Sequence, residues 1–229
     1  DAAQADAVVA RIAIVARDGA AEAVRDAEVV FEALPEVLDA KADALRWLGE
    51  HVDARATIAS TTSTFVVTEL QRHVVPPERM LNAHWLTPAL LMPLVEISRS
   101  DATDPSVVDA LAALLERVGK KPVICGPAPG YIVPRIQALA MNEAARMIEE
   151  GAATAEEIDK ATRYGLGLRF AALGVVEFID FGGADILHHA SREMSASIDA
   201  GRYAAPAILG EMVAQQRLGL KTLSGFYDY

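Results

Sequence analysis

One histidine and one glutamate, His84 and Glu96, interrupt a largely apolar run, LNAHWLTPALLMPLVEI, from Leu81 to Ile97. MLNAHWL has the length and the apolar, aromatic content of a strand, and a turn at Thr87-Pro88 follows it. His84 then lies near a strand's C-terminal end, where open α/β sheets place their ligands. Glu96 belongs to the next strand, LVEIS, twelve residues on. A carboxylate beside an imidazole fixes its tautomer and favours proton uptake, as a base that removes a hydroxyl proton near neutral pH requires. The spacing alone leaves a second reading open: a core histidine satisfied by a backbone carbonyl, and a glutamate at a strand end.

ASTTSTF, Ala59 to Phe65, places hydroxyls just after another strand. Ser63 and its neighbours can bond a substrate oxygen or a cofactor ribose. The same residues also suit a turn with a helix N-cap before FVVTELQRHV. His188 and His189 are adjacent, so on a helix they diverge by about 100° and share a metal poorly; they read as structural, and no metal site is expected. GxGxxG is absent, and DFGGAD, at 180–185, has no strand before it, so it reads as a bend and not a phosphate cradle.

The elements that would position these residues follow an α/β pattern up to about residue 120. EVVFEAL, TIAST, MLNAHWL, LVEIS and PVICG are short and rich in β-branched or aromatic residues. LDAKADALRWLGEHV and DPSVVDALAALLERVG space their apolar residues by three and four, as helices covering a largely parallel sheet do. After GPAPGYIVP the pattern turns helical. Gly151 fits a helix stop, Thr154 and Glu157 read as a capping box, and helix is expected from there to SGFYDY.

A chain of 229 residues, 52% apolar, can bury a sizeable core. Its net charge of -11 and lack of basic clusters argue against nucleic acid as the main partner, so an anionic ligand must be met locally. The single cysteine, Cys125, rules out an internal disulfide, reads as a small buried strand residue and suits a cytoplasmic setting. No apolar run approaches the roughly twenty residues that span a bilayer, so no membrane partner is expected.

In order and with nearly fixed spacing, VVFEALPEVLDAKADAL, IASTTSTFVVTEL, ERMLNAHWLTPALLMPLVEI, GKKPVICGPAPGYIVPRI, NEAARMIEEGAATAEEIDKA and RLGLKTLSGFYDY resemble the L-3-hydroxyacyl-CoA dehydrogenase family, 3-hydroxybutyryl-CoA dehydrogenases included. The resemblance implies a Rossmann-like NAD-binding α/β domain at 1–127. It also implies an all-α C-terminal domain at 128–229, of the 6-phosphogluconate dehydrogenase C-terminal-like kind, which carries a homodimer contact. It implies that His84 is the catalytic base, that Glu96 orients it and that Ser63 bonds the substrate oxygen. Glu36, Lys41 and Ser63 would line the NAD site, with Lys221 approaching from the C-terminal tail.

Three departures from the family pattern bear on substrate. The chain opens past the glycine-rich βαβ unit, so the Rossmann-like domain is expected to be incomplete at its start, as in a segment of a longer protein. YIVPR stands where the family has FIVNR, and Pro134 offers no side-chain donor. HWLTP stands for HFFNP, so Thr87 offers a hydroxyl in place of an amide. Arg169, in GLGLRFAALG, resembles relatives acting on free acids such as gulonate or carnitine, where a guanidinium can pair bidentately with a carboxylate; a surface arginine at a helix start is the alternative. The expected function is NAD-dependent interconversion of an L-3-hydroxyacyl-CoA and its 3-oxo form. A small free hydroxy acid as substrate, with Thr87 and Arg169 binding it, and a catalytically silent dimerisation module are the alternatives.

Overall fold

The computed structural model describes residues 2–229. The chain packs as two units, the first ending at Met141 and the second running from Asn142 to Tyr229.

In the first unit the elements run α1 (Ala2–Val9), α2 (Ala20–Val24), β1 (Val29–Glu32), α3 (Leu38–His51), β2 (Thr57–Ser60), α4 (Val67–Leu70), β3 (Met80–Trp85), β4 (Leu94–Ser98), α5 (Pro105–Arg117) and β5 (Lys121–Cys125). The sheet order is β1-β2-β3-β4-β5. All neighbours are parallel except β3 and β4, which are antiparallel. The connection between that pair, residues 86–93, is too short for the crossover of about a dozen residues that a parallel pair needs.

Side chains alternate across a strand, so adjacent residues of β2 and β3 serve opposite faces. Ile58 and Met80 pack with Leu45 and Leu48 of α3, Leu70 of α4 and Val74. Ala59 and Leu81, with Val95 and Ile97 of β4, pack under Val108, Leu111 and Leu115 of α5. Helix α5 begins cleanly because Asp104 accepts from the Ser106 amide at 2.8 Å and Pro105 occupies the first turn, where its missing N–H costs nothing. β1 forms one edge of the sheet, and Ile14 ahead of it is 99% exposed.

Helix α6 (Val133–Glu149) contains the division between the units. There follow α7 (Ala155–Ala161), a π-helical turn (Thr162–Gly167), α8 (Leu168–Ala172), α9 (Val175–Gly182), α10 (Ala184–Ser197), α11 (Ala200–Tyr203) and α12 (Ala207–Ala214). The Thr154 hydroxyl caps α7 by accepting from the Glu157 amide. Ala184, Leu209 and Met212 form the buried centre of this unit, with Ile179, Leu187 and Phe226 against them.

Helix was expected up to SGFYDY, but it stops at Ala214. Gln216, Gly219 and Leu223 take positive φ, and the tail folds back through bridges joining Gly219 to Ser224 and Ser224 to Asp228. The cause is Asp180 on α9, fully buried, whose carboxylate accepts from the amides of Phe226 and Tyr227. Gly219 is required where the tail crosses α9, because a Cβ there would lie 2.2 Å from the Asp180 carbonyl oxygen. Among the described residues, no helix is long and apolar enough to cross a membrane.

Candidate active site

His84 and Glu96 face each other directly in the β3–β4 register. Opposite residues of an antiparallel pair project to the same face, and here the Glu96 Oε2 lies 2.9 Å from His84 Nδ1. The other carboxylate oxygen accepts from the amides of Ile132 and Val133, at 2.9 and 2.8 Å. These are unpaired N–H groups at the N-terminus of α6, which favours a negative charge. Glu96 is wholly buried and bonded on both oxygens, so it has little freedom to leave the imidazole. With Nδ1 committed to the carboxylate, Nε2 is the ring nitrogen left to exchange a proton with a ligand.

Tyr131, in the turn that leads into α6, stacks on the His84 ring with centroids 4.7 Å apart and planes 11° apart. Its hydroxyl donates to the Thr62 carbonyl at 2.7 Å and accepts from Asn82 Nδ2 at 3.2 Å. Burial pushes the phenol well above its usual range, so it stays a donor.

The C-terminal ends of β1 and β2 supply a second group of side chains beside this one. Glu36, after β1, accepts from the Ser63 and Thr64 amides at 2.9 Å each and from the Thr62 hydroxyl. Lys41 of α3 is 1% exposed and bonds Glu32 at 3.0 and 3.2 Å, the Leu34 carbonyl at 3.0 Å and Glu36 at 3.2 Å. Glu32 is completed by the Ser60 hydroxyl and the Leu34 amide, both at 2.6 Å. Burial alone would raise the Glu36 carboxyl, but bonds from Thr62, Lys41 and the Thr64 amide outweigh it and hold the group at about 2.

Of the residues singled out in the sequence, Ser63, His84, Glu96, Glu36 and Lys41 all fall at or beside neighbouring strand ends of the first unit. Lys41 lies beneath Glu36, its N–H groups bonded to Glu32, Leu34 and Glu36, so that it holds the Glu36 carboxylate in place. Thr87 is exposed in the loop after β3. Arg169 and Lys221 belong to the second unit. Arg169 is exposed at the start of α8, its guanidinium 4.4 Å from the centroid of the Phe178 ring, and lines a cavity of about 530 Å³ with Met147, Ile158 and Leu166. Lys221 pairs with Asp185 at 2.8 and 3.0 Å.

Sequence reasoning missed Glu32, Thr62, Asn82 and Tyr131. Glu32 carried a readable signal, an acid ending the apolar strand VVFE. Tyr131 carried none, since its partners lie 47 to 69 positions away in the chain.

The donor set fits one end of a dinucleotide. A nicotinamide carboxamide needs an acceptor for its NH₂, and the part-exposed Glu36 carboxylate is a group of that kind; the exposed Ser63 hydroxyl beside it offers one O–H donor for a cofactor or a substrate oxygen. Among the described residues there is no glycine-rich strand-to-helix turn for the pyrophosphate, and no group of His, Cys, Asp or Glu arranged to hold a metal.

A mostly parallel sheet with a buried histidine–carboxylate pair and a part-exposed carboxylate at its strand ends, followed by a helical unit, defines a dehydrogenase-type architecture. Residues 1–128 match the family description "3-hydroxyacyl-CoA dehydrogenase, NAD binding domain", and residues 130–229 match "3-hydroxyacyl-CoA dehydrogenase, C-terminal domain". The chain belongs to the 3-hydroxyacyl-CoA dehydrogenase family, and is thus an NAD-dependent oxidoreductase. A solved 3-hydroxyacyl-CoA dehydrogenase from Archaeoglobus fulgidus superposes with a TM-score of 0.79 at 33% identity, covering 91% of this chain and 72% of that one. The 5-formyl-3-hydroxy-2-methylpyridine 4-carboxylate 5-dehydrogenase of Mesorhizobium japonicum is 30% identical over 93% of this chain and 69% of its own length. The L-carnitine dehydrogenase of Oceanobacillus iheyensis is 35% identical over 69% of this chain and 52% of its own.

Proposed function

We propose that the protein interconverts an L-3-hydroxyacyl-CoA, such as 3-hydroxybutyryl-CoA, and the corresponding 3-oxoacyl-CoA. The observation that carries this reading is the His84–Glu96 pair with Nε2 left available. In the oxidative direction His84 Nε2 takes the proton of the substrate hydroxyl, while Glu96 holds the ring and offsets the charge it gains. The Ser63 hydroxyl bonds the substrate oxygen and keeps it facing the base. Bound NAD supplies the hydride acceptor. Glu36, held by Lys41, binds the carboxamide, and Lys221 is a further cofactor residue in this reading. Residues 1–127 serve the cofactor and 128–229 the substrate and a homodimer contact, which the exposed Tyr164, Leu168, Phe181 and Ile186 support.

Incubating the protein with NAD and 3-hydroxybutyryl-CoA tests this at once. NADH absorbance should rise in the wild type and not in His84→Gln; equal rates in the two would remove the base assignment.

A second reading, a small hydroxy acid with a free carboxylate, is favoured by Arg169. Among the described residues it has no ion-pair partner, and it borders an apolar cavity large enough for a small acid. Thr87 and Pro134, in place of the family's amides, also fit a substrate other than the usual one. Turnover of a hydroxy acid panel that exceeds turnover of the CoA ester and collapses in Arg169→Ala would establish this reading over the first.

A further inference from the structure

We propose that Tyr131 is a positioning residue for the His84 base, fixing the plane of the imidazole and tying it to the loop that carries Ser63. The inference rests on the reading of His84 as base.

Three observations converge on it. The phenol ring lies nearly parallel to the imidazole at 4.7 Å, closing one face of the ring. Glu96 restrains the imidazole only at Nδ1, which leaves rotation about that hydrogen bond open; a stacked ring removes it. The Tyr131 hydroxyl is itself fixed, donating to the carbonyl of Thr62, the residue before Ser63, and accepting from Asn82 on β3, two residues before His84. Base and Ser63 loop are thereby referenced to one buried side chain, 6% exposed.

The backbone adds an independent sign. Tyr131 has φ +44°, a region that a bulky side chain rarely adopts and that persists only where the surroundings over-determine it. The next two amides are those that bind Glu96. One short turn thus holds the carboxylate with its backbone and the imidazole with its side chain.

The test compares Tyr131→Phe, Tyr131→Leu and His84→Gln by steady-state kinetics with NAD and 3-hydroxybutyryl-CoA, and by the proton NMR signal of the His84 Nδ1–H. Tyr131→Leu should lower kcat about tenfold to a hundredfold, the scale of a small misplacement of a reacting group, and broaden the Nδ1–H signal. Tyr131→Phe keeps the stacking ring, so it should recover most of kcat and the sharp signal. Its loss of the Thr62 and Asn82 bonds should raise KM for the hydroxy substrate. A folded Tyr131→Leu with wild-type kcat and an unchanged signal overturns the proposal, as does a Phe variant as slow as the Leu variant. The NMR signal reads the imidazole whether or not turnover is seen, whereas an active His84→Gln would sink the underlying base assignment instead.

Discussion

Glu96 meets His84 across the antiparallel β3–β4 pair and α6 end-on, one carboxylate oxygen on Nδ1 and the other on two helix amides. The same side chain therefore orients the imidazole and caps a helix. Glu96→Gln has only one acceptor oxygen, so it cannot serve both sides, and its amide would face a donor on one of them. Turnover should fall by about a hundredfold to ten-thousandfold, the range attached to a positioned general base. Folding stability should fall by about 1–3 kcal/mol, the cost of leaving a buried polar group unpaired. Urea melts and initial rates on one protein preparation check both; a variant that loses neither would separate Glu96 from His84.

Lys41 and Glu32, each with a side chain 1% exposed, form a buried ion pair whose partners cannot be removed singly without penalty. Lys41→Met leaves Glu32 charged and uncompensated, and should cost about 3–5 kcal/mol. Adding Glu32→Gln removes the orphaned charge, so the double variant should regain part of that loss in a thermal melt. Additive losses would mean that the two side chains are not coupled.

Glu36 sets a pH dependence with a definite sign. Its carboxyl is held at about 2 against an ordinary 4.5, so the folded state binds its proton less readily than the unfolded chain does. The stabilisation it gives is fully present above about pH 4.5 and disappears as pH falls toward 2. Tm of the wild type should drop more steeply across that window than Tm of Glu36→Gln. Because other carboxylates titrate in both proteins, the difference between the two curves is the quantity to read; parallel curves would show that Glu36 contributes nothing.

The strands could be read from composition because each is a short β-branched run, and His84 and Glu96 stood out as polar residues within such runs. Their direct apposition was not legible: the spacing left a core histidine open, and the antiparallel register of β3 and β4 is what sets the two opposite each other. The ion pairs of Lys41 were not legible, because the pattern of helix α3 shows where its apolar face lies, but not that a lysine on that face meets Glu32 and Glu36 from below. Tyr131 was invisible for a related reason: an aromatic residue after a glycine reads as a turn until β3 and the Thr62 loop are brought beside it. Helix was expected as far as SGFYDY, while the deciding term beyond Ala214 was a single buried acid far back in the chain.

That acid gives the last expectation. Asp180 sits wholly buried on α9, with the Phe226 amide at 3.0 Å, the Tyr227 amide at 2.9 Å and the Tyr229 hydroxyl at 3.3 Å from its carboxylate. Phe226 also packs against the Ala184, Leu209 and Met212 core, so releasing the tail uncovers apolar surface as well as two amides. Asp180→Asn keeps the size but halves the acceptors, and should cost about 1–3 kcal/mol. Hydrogen exchange at the Phe226 and Tyr227 amides should then quicken well before that of helices α9 and α10, because the tail would open without unfolding the unit. If those two amides exchange as slowly in the variant as in the wild type, the tail is held by packing of Phe226 and not by Asp180.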